Sequence, residues 1–107
     1  MPTEALSFQL AIQPKELSQV QSIFIETVPR LTVWAYGSRV HRRHFKPFSD
    51  LDLIIFSEPD SLVDSMEIHE IFDESDLPFT ADVSTWEQPP EWLQLQVLKE
   101  RVILQAL

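Results

Sequence analysis

Val33-Trp34-Ala35-Tyr36-Gly37-Ser38-Arg39 and, one short loop later, Ser49-Asp50-Leu51-Asp52-Leu53-Ile54-Ile55-Phe56 decide the fold. Together they join the only glycine of the chain to two alternating aspartates at the start of an apolar run. A chain with one Gly in 107 residues makes its other turns without that residue, so Gly37 marks a place where a Cβ would be in the way. Val33 to Tyr36 reads as a short buried strand, and a helix is predicted from Ser38 to about Arg43. Such a strand, turn and helix start presents free N–H groups and a helix dipole to an anion. The same residues also suit an ordinary turn in which Ser38 caps the helix.

Asp50 and Asp52 sharpen that reading. Residues i and i+2 of a strand share a face, so the two carboxylates converge while Leu51, Leu53 and Ile55 turn into a core. Two like charges so placed either hold a hard cation such as Mg²⁺, which takes oxygen ligands and keeps waters for substrate phosphates, or lie solvated at the mouth of the strand.

Outward from this centre, residues 1–13 show little periodicity and are expected to form an arm, with a single domain over 14–107. Pro14 suits a first helical turn, and Leu17, Val20, Phe24 and Val28 recur at helical steps through Pro14–Val28. Val28-Pro29 ends that helix. After the strand Leu51–Phe56, the turn Glu58-Pro59-Asp60 leads to Ser61-x-x-Asp64, which has the form of a capping box. The helix it opens, to about Glu74, buries either Leu62, Met66, His69 and Phe72 or Ile68, Ile71 and Phe72. His69 reads as a surface or satisfied core histidine.

Phe79–Thr85 reads as a third strand, with Thr80, Asp82 and Ser84 on one side and Phe79, Ala81 and Val83 on the other. An aspartate in mid-strand disfavours β structure and is explained either by a ligand role or by an exposed edge. Pro89-Pro90 starts a last helix, Glu91 to about Lys99, with Trp92, Leu95 and Leu98 as its expected apolar side. Val102-Ile103-Leu104 forms a short strand or a packed tail. Trp34, Trp86 and Trp92 read as core or partner-interface anchors rather than platforms for bases. Strands interleaved with helices predict an α/β sandwich with helices over one sheet face.

Composition narrows the function. The apolar share of 44% is that of a globular chain, and no run approaches the roughly 18 residues of a membrane span. Absence of Cys removes disulfides, thiolate nucleophiles and Cys-rich zinc sites, which fits a reducing cytoplasm. The net charge of −9, from 17 acidic and 8 basic residues, argues against direct nucleic-acid binding. Four of those basic residues, Arg39, Arg42, Arg43 and Lys46, lie between the glycine turn and the aspartates. They meet either a triphosphate, an acidic partner or solvent.

The combination Gly37-Ser38 with Asp50-Leu51-Asp52 resembles the signature of the polymerase-beta-type nucleotidyltransferase superfamily, and the chain's shortness is similar to that of the minimal nucleotidyltransferases. Val33 to Val40, Ser49 to Leu53, Ser75 to Phe79 and Asp82 to Trp86 resemble the MntA-like antitoxins of HEPN–MNT pairs. This resemblance, from about Pro14 onward, implies an α+β nucleotidyltransferase fold with a small mixed sheet and helices packed on one face. It implies AMP transfer from ATP to a tyrosine hydroxyl of a HEPN ribonuclease toxin in a hetero-oligomer in the cytoplasm. Asp50, Asp52 and Asp82 would bind two Mg²⁺ and carry the catalysis, with Gly37, Ser38, Arg39 and Ser49 at the nucleotide. For Arg39, contact with phosphate and support of the loop both fit. Many relatives place a second glycine five residues after the first, where this chain has Arg42. The alternative reading is a catalytically weak antitoxin that neutralises its partner by binding alone.

Overall fold

A computed structural model describes residues 10–58 and 63–106. Eight elements follow one another: α1 (Pro14–Thr27), β1 (Thr32–Tyr36), α2 (Ser38–His41), β2 (Leu51–Phe56), α3 (Ser65–Glu74), β3 (Ala81–Thr85), α4 (Glu91–Lys99) and β4 (Val102–Gln105). The strands form one mixed sheet in the order β3-β2-β1-β4. β1 runs antiparallel to β2 and β4, and β2 runs parallel to β3. The expected mixed-sheet architecture is therefore present, and the segment after Arg101 is a strand rather than a tail. Among the described residues no helix is long and apolar enough to cross a membrane.

The main core lies on the sheet face formed by Leu51, Leu53, Ile55, Val33 and Ala35, all fully buried. α1 and α3 cover it with Val20, Phe24, Ile68 and Phe72. Phe24 and Phe72 meet at 5.7 Å between ring centroids, which ties the two helices to each other as well as to the sheet. Burial of so many large side chains, at about 25 cal/mol per Å² of apolar surface, makes this face the main source of cohesion.

Several local readings shift. α2 stops at His41, because Arg42 turns left-handed at φ 65°. β3 begins at Ala81, two residues later than expected, after Pro78, Phe79 and Thr80. α3 is capped by Asp64, whose side chain accepts a hydrogen bond from the Glu67 N–H; Ser61, Leu62 and the turn at 59–60 lie outside the described residues. Met66 is exposed, so the buried side of α3 is the Ile68 and Phe72 alternative. The arm expected over 1–13 is described only from residue 10, and there Leu10 is buried and the Ala11 N–H donates to the Arg39 carbonyl.

The largest shift concerns α4. Trp92, Leu95 and Leu98, the side expected to be buried, are exposed, Trp92 by 67%, whereas Val97 is 1% exposed. Val97 packs on Tyr36 and Ile54, flanked by Trp34, Phe56, Trp86 and Leu93. These residues belong to the opposite sheet face, the one that carries Asp52. One helix thus lies beside the aspartates, in addition to the pair on the core face.

Candidate functional site

The two parallel strands bring the acidic residues together. Asp52 of β2 and Asp82 of β3 are direct register partners, and across the next strand Tyr36 of β1 is paired with Asp52. The row Asp82, Asp52, Tyr36 therefore crosses three strands on one face. Asp82 is exposed and Asp52 is partly buried. Burial, together with repulsion from Asp82 and Asp50, pushes the Asp52 carboxyl up to about 6. Burial, with repulsion from Asp52 and Asp82, pushes the Tyr36 phenol up to about 12. Both shifts come first from burial and then from the closeness of like charges.

Gly37 explains how the turn reaches this row. Its φ of 81° lies in the region that side chains rarely adopt, and a Cβ there would run into Asp52 Oδ2. The glycine is thus required twice, by backbone angle and by space. Beside it lies a cleft of about 270 Å³ lined by Tyr36, Gly37, Ser38, His41, Asp52, by Leu93, Gln96 and Val97 of α4, and by Glu100 just after that helix. The α4 part of this lining was not legible in the sequence, where the apolar stripe of that helix pointed elsewhere.

Asp50 stands one rung away, immediately before β2. Its Oδ1 accepts a hydrogen bond of 2.5 Å from the Thr80 hydroxyl, while the Leu51 N–H donates to the Thr80 carbonyl. The structure thus brings Asp52 and Asp82 side by side and leaves Asp50 tied to Thr80. Among the described residues, no group of three or more His, Asp or Glu side chains is gathered as it stands around a point that could hold a metal ion.

Arg39 and Ser49 lie away from the cleft. Arg39 is buried and donates to three carbonyls, from Nε to Ser49 at 2.8 Å, from Nη1 to Ala11 at 2.6 Å and from Nη2 to Pro47 at 3.1 Å. Its guanidinium also lies 4.3 Å from the centre of the Phe79 ring. Of the two roles open to Arg39, the structure displays loop support, with all three guanidinium nitrogens bonded to backbone carbonyls. The Ser49 hydroxyl likewise accepts from the Lys46 N–H, closing the turn before Asp50. His69 is satisfied, as expected, with Nε2 accepting from the Val83 N–H on the open edge of β3.

Three kinds of comparison agree with this geometry. The family described as polymerase beta, nucleotidyltransferase, matches residues 18–106. The probable protein adenylyltransferase MntA of Haemophilus influenzae is 41% identical over 98 residues, covering 91% of this chain and 85% of that one. Among solved structures, a toxin–antitoxin crystal structure with AMP-PNP superposes with a TM-score of 0.67 at 18% identity, covering 85% of this chain and 73% of that one. A complex of a tri-AMPylated Shewanella oneidensis HEPN toxin with an MNT antitoxin superposes with a TM-score of 0.63 at 17% identity, covering 90% of this chain and 74% of that one. At such identities the two structures speak for the fold.

Proposed function

The chain belongs to the polymerase beta nucleotidyltransferase family, and from that membership we propose that it moves AMP from ATP to a tyrosine hydroxyl of a HEPN-type toxin, silencing the toxin within a hetero-oligomer in the cytoplasm. The observation that carries this reading is the Asp52 and Asp82 pair, direct register partners on adjacent strands, with Gly37 packed against Asp52 where no other residue fits. Similarity to a probable protein adenylyltransferase supports the reaction class, and the modified HEPN toxin in a structurally similar complex supports the acceptor.

The donor set fits divalent cations. Burial, with repulsion from Asp82 and Asp50, raises the Asp52 carboxyl. Such crowded carboxylates are stabilised by a hard cation bound through oxygen. Asp50, Asp52 and Asp82 would hold Mg²⁺, which when bound neutralises phosphate charge and favours in-line displacement.

The chain's own residues do the rest. Gly37 and Ser38 face the cleft and receive the polyphosphate tail, while Leu93 and Val97 of α4 wall off water on the opposite side. The acceptor oxygen attacks the α-phosphorus, the bond to the β-phosphate oxygen breaks, and pyrophosphate leaves. Asp82, the most exposed acid of the row, takes the phenolic proton.

Intact-mass measurement tests the proposal. With ATP, Mg²⁺ and a HEPN-type partner, the partner gains whole AMP units, and Asp82→Asn or a chelator abolishes the gain. An unmodified partner under these conditions would overturn the reading. The excess of 17 acidic over 8 basic residues favours a second reading, inhibition by contact alone; under it, Asp82→Asn still silences the toxin.

A further inference from the structure

We propose that Thr80, braced by Arg39, is a positioning residue that sets the Asp50 carboxylate for its cation; the inference rests on the metal reading above. On the exposed sheet face each rung of the β2 and β3 pair joins a residue of one strand to a residue of the other. The Asp52 rung holds Asp82. One rung earlier, the position opposite Asp50 is taken by Thr80, whose carbonyl accepts the Leu51 N–H and whose hydroxyl donates to Asp50 Oδ1. A hydroxyl can hold a carboxylate oxygen without adding charge, so one oxygen of Asp50 is fixed and Oδ2 is directed without competition from a second acid.

Arg39 fixes both members of this rung from behind. Its Nε–H bonds the carbonyl of Ser49, the residue before Asp50, and the guanidinium lies over the ring of Phe79, the residue before Thr80. One planar, five-donor group thus joins the Ser49 carbonyl before Asp50 to the Phe79 ring before Thr80. It also ties them to the glycine turn two residues upstream and, through the Ala11 carbonyl, to the segment that precedes α1. A lysine keeps the charge but cannot reproduce three bonds and a ring contact.

Thr80 is exposed, so its substitution tests the role without unfolding the chain. Thr80→Val is expected to weaken Mn²⁺ binding, read as free Mn²⁺ by electron paramagnetic resonance, about tenfold, as is usual for an outer-shell partner of a metal ligand. It lowers kcat by a similar factor, leaves KM for ATP within about twofold because Gly37 and Ser38 are untouched, and leaves Tm unchanged. Thr80→Ser restores both binding and kcat, since the hydroxyl alone is required. Arg39→Lys weakens Mn²⁺ binding in the same direction with some loss of Tm; should it fail to fold, Thr80→Val decides the matter. Wild-type Mn²⁺ binding and kcat in Thr80→Val, or a loss that Thr80→Ser does not repair, overturns the inference. Asp50→Asn separates the two levels: Mn²⁺ binding that it leaves untouched overturns the metal reading itself.

Discussion

The two faces of β2 are built for opposite purposes. On one, Leu51, Leu53 and Ile55 are fully buried beneath α1 and α3. On the other, Asp52 is left partly open among like charges, and only Ile54, under Val97 of α4, is sealed. The alternation of a single strand thus separates a face that lowers the folding free energy from one that raises it. A face that crowds acids together is held in place by the apolar residues on the reverse side of the same strand. α4 marks the border, closing the apolar half of the exposed face and leaving the acidic half accessible.

Mutations on the two faces are expected to move different quantities. The largest effect falls on the acid row: Asp82→Asn lowers AMP transfer on the order of 10³-fold, beyond the 10–100-fold typical of groups one shell further from a metal, while Tm holds or rises because a like charge is gone. Leu53→Ala inverts the pattern, with about 3 kcal/mol of stability lost in chemical denaturation from transfer and cavity costs and little change in transfer rate while the chain stays folded. If Asp82→Asn destabilised the protein as much as Leu53→Ala, the division between the faces would fail. Gly37→Ala strains both sides of it. The added methyl meets Asp52 and φ is positive, so transfer falls about 10²-fold, in the range of a misplaced positioning group, with a loss of about 1 kcal/mol or more in stability.

How far the sequence reveals this division depends on whether the signal is local. Both ends of β2 and of α4, and the start of α1, are read from residues within a few positions: alternation, Pro14, Pro90. The exposed pairing of Asp52 with Asp82 is not local; alternation places each acid on a face of its own strand, and only the parallel register makes them neighbours. The buried side of α4 fails for a related reason. Trp92, Leu95 and Leu98 form the more apolar stripe, yet the surface that awaits the helix is set by Tyr36 and Ile54, far away in the chain, and it accepts Val97. Arg39 shows a third limit. In sequence it is one of four basic residues in a cluster, and nothing local tells that it is buried against carbonyls while Arg43 pairs with Glu100 at the surface.

Asp52 also permits a test in which no substrate takes part. With its carboxyl near 6 in the folded chain, against 3.8 as the ordinary value, the folded state binds more protons than the unfolded state between those limits. Stability conferred by the protonated form is fully present below about 4 and is lost as pH rises through about 6. In chelator, wild type therefore loses about 1–2 kcal/mol relative to Asp52→Asn between pH 4 and pH 7, after allowance for solvent screening at this partly open site. Chemical denaturation of both proteins across that range measures the difference. Parallel curves would mean that Asp52 is no more strained than a surface acid, and the contrast between the faces would weaken accordingly.

The smallest effect concerns one position where the chain departs from the pattern of many relatives. Arg42 stands where many of them have glycine, and the structure gives that glycine a backbone reason: residue 42 ends α2 in the left-handed conformation at φ 65°, where a Cβ costs about 1 kcal/mol and glycine is the usual occupant. Position 42 lies outside the lining of the cleft, so the substitution bears on the helix end and not on the space for phosphate. Arg42→Gly should raise stability by about 0.5 kcal/mol, since loss of the Arg42 side chain's own interaction offsets part of the backbone relief, a Tm gain of a few degrees in a domain of this size. KM for ATP should stay within about twofold, well below the tenfold that 1.4 kcal/mol of lost binding would produce. A tighter KM in Arg42→Gly would instead place this residue against the triphosphate, and the acidic half of the face would then extend past the glycine turn to the end of α2.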